Sequence, residues 1–275
     1  MTIRRYAAGA AAGTTLVLSL TACLGTTGTG ASGGGSNASL TAAEVIQNAS
    51  QKTSSFNTFK AEITTTGLAE MHGLVQFQLK PTVAMSMNID KMGAAGQSMP
   101  GGMQAVLLGD VMYVKMPQLS SLAGGKPWIK ISLQQVGSKS GLNIDALLKQ
   151  AQQNSPADQT KFLTASKDVH KVGTEDINGV STTHYAGTVS AADAMAKLDT
   201  VTQGKFKDLY TKAGISKIAF DVWVDGNSLP QKMESKVNTA QGAVDTTLVY
   251  SDYGKPVNIA APPASEVGTF SGLGG

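Results

Sequence analysis

From residue 59 onward the chain alternates between apolar and polar positions with a period of two. Phe59, Ala61 and Ile63 alternate with Lys60, Glu62 and Thr64. Val75, Phe77 and Leu79 alternate with Gln76, Gln78 and Lys80. Val83, Met85, Met87 and Ile89 alternate with Ala84, Ser86, Asn88 and Asp90. Successive strand side chains point to opposite faces, so each run predicts a half-buried strand. Short turns at Gly67 and Pro81 make the three strands antiparallel neighbours. Residues 103–108 and 111–116 predict a hairpin turning at Gly109-Asp110, and 128–133 a further strand.

The second half repeats the scheme. Runs at 168–177 and 180–190 flank Asn178-Gly179, a strong hairpin-turn signal. Runs at 217–224, 230–238 and 243–250 form a second strand triplet, with Asp225-Gly226 at one turn. The triplets at 59–90 and 217–250 suggest two structurally duplicated halves. Helical periodicity appears in three places. Thr41-Ala42-Ala43-Glu44 has capping-box spacing before Val45, Ile46 and Ala49, predicting a helix over 41–54. Leu142, Ala146, Leu147 and Ala151 mark a second helix, and 191–212 reads as a third. The sum is an α+β domain: a strongly bent antiparallel half-barrel sheet of about eleven strands, with helices covering the concave face. On that face the alternation places Val75, Phe77, Leu79, Val83, Met85, Met87, Phe220, Val222 and Val224. It sends Gln76, Gln78, Ser86, Asp221 and Asp225 to solvent.

The residues before the first helix follow neither period. Arg4 and Arg5 are followed by an uncharged run from Ala7 to Ala22, too short to span a bilayer comfortably. Cys23, the one cysteine of 275 residues, ends it. A lone cysteine forms no intrachain disulfide. The run Leu20-Thr21-Ala22-Cys23 resembles the bacterial lipobox. That resemblance implies acylation of the Cys23 thiol and cleavage before it. Residues 1–22 then form a lipoprotein signal peptide and 23–39 a lipidated Gly/Ser/Thr tether. Residues 40–267 form the domain, and 268–275 a disordered tail. The residues around Arg4-Arg5-Tyr6 fit a twin-arginine signal poorly, which favours Sec export. The expected place is the cell membrane, lipid-anchored on its extracytoplasmic side. Two or more acyl chains, at about 0.8 kcal/mol per buried methylene, suffice for stable anchoring.

Charge narrows the partners. Both arginines lie in the expected signal peptide, leaving lysines to balance 19 acidic residues. Near-neutrality argues against nucleic acid, which needs a concentrated basic face. The missing arginines remove the usual bidentate clamp for phosphate or carboxylate.

One ordered set of motifs fits a known family. Lipobox, tether, helix and strand triplet are followed by Val111-Met112-Tyr113-Val114, Trp128-Ile129-Lys130 and Val172-Gly173-Thr174-Glu175 with Asn178-Gly179-Val180. Then come Val222-Trp223-Val224-Asp225 with Leu229-Pro230, and Tyr253-Gly254-Lys255-Pro256-Val257. Over residues 41–267 this resembles the actinobacterial lipoproteins of the LppX/LprG type, whose fold is similar to LolA and LolB. The resemblance implies a half-barrel whose apolar cavity receives lipid or glycolipid acyl chains, and a lipid carrier or chaperone. It also implies a membrane transporter as partner.

Candidate chemistry points the same way. Seven of the 11 methionines, Met85, Met87, Met92, Met99, Met103, Met112 and Met116, crowd into 85–116. Methionine is unbranched and adapts to variable apolar partners. The cluster fits three readings: ordinary core packing, a wall for acyl chains, or a soft-metal site with His72 as an extra ligand. His72, His170 and His184 stand in no metal-ligand spacing. No G-x-S-x-G elbow, P-loop or strand-flanked G-x-G-x-x-G occurs. The expectation is therefore a binding protein without catalysis, cofactor or metal. The alternative is an envelope sensor or protein-interaction module that binds no lipid; a filled core with an exposed apolar patch would mark it.

Overall fold

The computed structural model describes residues 40–94, 97–140, 162–196 and 211–269. They form one large, curved, open sheet and three helices. The strands are β1 (Thr58–Gly67), β2 (Ala69–Gln78), β3 (Ala84–Ala94), β4 (Gln97–Met99), β5 (Met103–Leu108), β6 (Val111–Lys115) and β7 (Trp128–Ser132). They continue with β8 (His170–Ile177), β9 (Val180–Ser190), β10 (Lys217–Asp225), β11 (Pro230–Thr239), β12 (Gly242–Ser251) and β13 (Val267–Thr269). The helices are α1 (Ala42–Thr53), α2 (Leu133–Ser140) and α3 (Ala191–Met195), and a 3-10 turn spans Pro117–Ala123.

The sheet order is β13-β7-β6-β5-β3-β2-β1-β12-β11-β10-β9-β8, with β4 paired to β3. The two expected triplets meet at its centre, where β1 pairs antiparallel with β12. Thirteen strands replace the expected eleven because two three-residue strands, β4 and β13, carry too little alternation to be read from sequence. β13 lies where the tail was expected to begin; Val267, Gly268 and Thr269 pair in parallel with Trp128, Ile129 and Lys130. The signal peptide, Cys23, the tether, the helix expected at 142–151 and the greater part of that expected at 191–212 lie outside the described residues.

Local chemistry explains the element ends. Thr41 caps α1 with a reciprocal box: the Glu44 N–H donates to Thr41 Oγ1, and the Thr41 N–H donates to Glu44 Oε2 at 2.8 Å. Asn178 (φ +53°) and Gly179 (φ +82°) both adopt the left-handed region that a two-residue hairpin between β8 and β9 demands. Gly73 serves close approach instead. A Cβ there would stand 2.4 Å from the Asn88 carbonyl oxygen, beside the bulge at His72/Gly73.

Among the described residues the sheet carries two buried clusters. In one, Val45, Ile46 and Ala49 of α1, each 0% exposed, pack with Leu163, Tyr185, Val189, Ala194, Phe220, Val222 and Val224. Full burial of each valine or isoleucine contributes about 1.5–3 kcal/mol. In the other, Phe59 and Ala61 of β1 pack with Tyr250 of β12. Met233 borders both.

Candidate functional site

Strand register turns the alternation into rows across the sheet. One row runs Phe59–Phe77–Met85–Leu107–Met112–Ile131 over β1, β2, β3, β5, β6 and β7. A second runs Tyr250–Ala61–Val75–Met87–Ala105–Val114–Ile129. A third runs Tyr185–Val222–Met233–Leu248–Ile63–Gly73–Ile89–Met103. No charged residue stands in any of the three. Directly opposite residues share a face, so one face of the sheet is apolar from β9 to β7.

That face has two environments. At β9 and β10 it is closed: Phe220, Val222 and Val224 are at most 1% exposed beneath α1. At β2, β3, β5 and β6, Phe77, Met85, Met87, Met103, Met112 and Val114 are only half-buried. Aromatic contacts mark the border between them. The Phe59 and Phe77 rings stack at 4.8 Å, and the Phe59 ring meets Tyr250 at 6.4 Å near edge-on. Burial raises the Tyr250 hydroxyl pKa above its ordinary value, and burial does the same to Tyr253. Tyr253 donates its hydroxyl to the Pro230 carbonyl at 2.8 Å.

The residues singled out from sequence therefore divide. Val75, Phe77, Met85 and Met87 lie together in the first two rows. Leu79 and Val83 are buried but flank the β2–β3 turn outside either strand. Phe220, Val222 and Val224 belong to the α1-covered cluster. Met112, Val114 and Ile131 extend the half-open surface around the buried Leu107, and none of the four was singled out. The signal was the period-two pattern of their own strands, continued across the sheet.

Two residues of the polar face are buried, one of them Asp225, which alternation sends to solvent. Asp225 is 6% exposed, not solvent-facing. The turn between β10 and β11 folds over it, and its Oδ1 accepts the Asn227 and Leu229 N–H groups at 2.8 Å each. Its Oδ2 accepts from Gln231 Nε2 at 3.0 Å. Trp223 stands on the polar face yet is 4% exposed. His184 stacks on its ring at 4.2 Å, the Lys232 ammonium lies 4.3 Å from its centroid, and its Nε1–H donates to Glu175 at 2.9 Å.

The histidines are engaged in hydrogen bonds. His72 lies between Asp90 (2.7 Å) and Glu62 (3.1 Å), and the bond to Asp90 followed by that to Glu62 raises its pKa. His184 contacts Glu175 at 2.9 Å and Asp221 at 2.8 Å. His170 contacts the Asp168 carbonyl at 2.9 Å. Among the described residues no group of three His, Cys, Asp or Glu side chains is placed to hold a metal ion. No helix among them is long and apolar enough to cross a membrane. Chemically, the half-open rows offer dispersion contact and exclusion of water to an extended apolar ligand.

Comparison with known proteins agrees with the resemblance read from sequence. Residues 154–259 match the LppX_LprAFG lipoprotein family. An uncharacterised 31.2 kDa protein of Streptomyces griseus is 37% identical over 174 residues, 62% of this chain and 57% of that protein. A Streptomyces coelicolor protein described as a lipoprotein is 28% identical over 172 residues, 62% of this chain and 52% of that protein. The matches thus span little more than half the length of these curated relatives. The crystal structure of LprF from Mycobacterium bovis aligns with a TM-score of 0.52 at 17% identity, covering 80% of this chain and 96% of that one. That likeness establishes the fold.

Proposed function

We propose that this chain, which resembles the LppX_LprAFG lipoproteins, is a membrane-anchored extracytoplasmic lipid-binding protein. It holds the acyl chains of a lipid or glycolipid against the half-open rows of β2, β3, β5 and β6, and acts as a carrier or chaperone. Cys23 is its lipidation site, and a membrane transporter is the partner class that supplies or receives the cargo. The reading assigns no catalysis.

The observation that carries it is the row Phe77–Met85–Leu107–Met112–Ile131, half-buried at every position but the buried Leu107 and continuous with a fully closed core elsewhere on the same face. A folded domain gains by burying such a surface, and flexible thioethers suit a ligand of variable shape. The test is Met85→Trp. In a close-packed core the added volume costs roughly 1–3 kcal/mol. On a surface that receives a ligand, Tm of the lipid-free protein changes little while uptake of a fluorescent fatty-acid probe falls. A large loss of stability, with no probe uptake even in the parent protein, would favour the sensor or interaction-module reading. Cys23→Ser tests the anchor separately: it is expected to move the protein from the membrane fraction to the soluble one. Retention with membrane after a high-salt wash would remove the lipobox assignment.

A further inference from the structure

The last strand reaches the sheet by a long route. β12 lies beside β1 at the centre of the sheet, whereas β13 lies beside β7 at its edge. Val267, Gly268 and Thr269 run parallel to Trp128, Ile129 and Lys130, while all other strand pairings among the described residues are antiparallel. Residues 252–266 therefore pass β1, β2, β3, β5 and β6, and the last four of these carry the half-open rows.

The segment is fixed at both ends. At its start, Asp252 (φ +55°) and Gly254 (φ +71°) make a tight turn, and the Gly254 N–H donates to the Thr58 carbonyl of β1 at 2.9 Å. Tyr253 rests against Phe56 and Tyr250, with ring centroids at 5.6 and 6.1 Å. At the far end the Lys126 ammonium donates to the Ser265 carbonyl at 2.8 Å. Gly268 approaches the Pro117–Ala123 turn so closely that a Cβ there would stand 2.1 Å from the Ala123 carbonyl oxygen. Between these anchors, residues 256–263 join no ladder, yet Val257, Ile259 and Pro262 are half-buried. The segment thus lies against the protein instead of looping into solvent.

Its length leaves little slack. The 13 steps from Gly254 to Val267 reach at most about 45 Å. A 3-10 turn at Ala264–Glu266 shortens that by about 4 Å. Six strand spacings, about 29 Å along the sheet, separate β1 from β13. Thr58 shares a register row with Ser132, and Trp128 stands four residues from it, adding a climb of about 13 Å. The diagonal is about 32 Å, so the segment is stretched over most of its reach. Strand pairing alone does not fix how far β1 stands from β7. Twist between neighbours ranges over about 10–35°, and five such pairings accumulate between the two strands.

We infer that residues 252–269 are a brace that ties β1 to β7, sets the curvature of the half-open section and thereby sets how firmly the methionine rows retain a ligand. The consequence for the ligand rests on the lipid-binding reading above; the brace itself is a property of the ligand-free protein.

The test measures distances between spin labels in the purified full chain, with Cys23→Ser removing the one native cysteine. One pair, Thr66→Cys with Lys130→Cys, spans the half-open section from β1 to β7; another, Thr66→Cys with Ser181→Cys, spans the closed side from β1 to β9. Gly268→Val cuts the far anchor, Lys126→Met weakens it, and hydrogen exchange at Trp128–Lys130 reports release of β13. The expected result is a broadened, shifted β1–β7 distance in Gly268→Val, a smaller change in Lys126→Met, and an unchanged β1–β9 distance. Release of a bound fluorescent fatty acid is expected to quicken by roughly three- to tenfold, since such changes fall mainly in the off-rate. An unchanged β1–β7 distance with β13 released would overturn the brace, as would equal broadening of both pairs. Slow exchange at β7 that persists when the two substitutions are combined would also overturn it, because the anchors would then not be the ones named. Altered distances with unaltered probe release would remove the link to ligand retention. No probe uptake by the parent protein would count against the lipid reading alone, and the label distances would still decide the brace.

Discussion

The two ends of the apolar face begin from the same sequence logic and reach different environments. Around β9 and β10, α1 lays Val45, Ile46 and Ala49 onto Phe220, Val222 and Tyr185, and nothing in that cluster is more than 7% exposed. Around β3, β5 and β6, Met85, Met87, Met103 and Met112 occupy equivalent positions in the alternation but remain half-buried. Side-chain type follows the difference. Branched and aromatic residues fill the closed end, where fixed shape gives dense packing. Unbranched methionines line the half-open end, where adaptability costs little. Alternation thus determines which face is apolar, and the covering element determines whether that face is core or binding surface.

Truncation on the two sides separates them most sharply. Phe220→Ala removes a fully buried ring beneath α1 and is expected to cost about 3–5 kcal/mol. For a domain of this size that lowers Tm by roughly 10 °C or more. Met87→Ala, at the half-open end, is expected to cost less, about 1 kcal/mol, because its side chain is only partly buried. Thermal melts of the lipid-free proteins check both, and equal losses would erase the distinction between core and binding surface.

Asp225→Ala is the next largest expected effect. It strands the Asn227 and Leu229 N–H groups under the β10–β11 turn, for a loss of about 2–3 kcal/mol without change in lipid uptake. A denaturant midpoint beside a probe titration measures it; reduced uptake at unchanged stability would contradict a purely structural role.

The smallest effect is a pH dependence at the closed end. Asp168 tethers the 163–169 segment to β9. Its carboxylate pKa is held down at about 2, first by the Thr188 hydroxyl and then by the Thr188 backbone N–H and the Ser166 hydroxyl. Because the folded-state pKa lies below the ordinary 3.8, the stabilisation is complete above about pH 4 and is lost as pH falls toward 2. Asp168→Asn is expected to flatten Tm against pH across that window; an unchanged slope would assign the acid sensitivity to other carboxylates. The group is solvent-exposed, so a shift of a few degrees is expected rather than unfolding.

The sequence was most legible where a residue acts on its near neighbours. Thr41 and Glu44 announced the first helix, Asn178-Gly179 its hairpin, and the period-two runs the long strands, because capping, turn geometry and strand faces are local properties. The two environments of the apolar face were not legible. Phe220 meets Val45 and Ile46 across more than half the chain, and no pattern around Phe220 states what will cover it. Hence Phe220, Val222 and Val224 were grouped with Met85 and Met87 although the fold separates them. Asp225 was misread for a related reason. A bulge between Trp223 and Val224 changes the pairing with β11, and the following turn closes over a carboxylate that simple alternation sends to solvent.

The central claim is that acyl chains lie on the methionine rows and not at the α1-covered end, and photocrosslinking tests it directly. The purified full chain would be loaded with a fatty acid carrying a diazirine in its chain, irradiated, digested and read by mass spectrometry. The expected adducts fall in peptides bearing Met85, Met87, Leu107 and Met112, and they diminish in Met85→Trp. Adducts confined to the β10 peptide with Phe220 and Val222, or no adduct at saturating probe, would contradict the account.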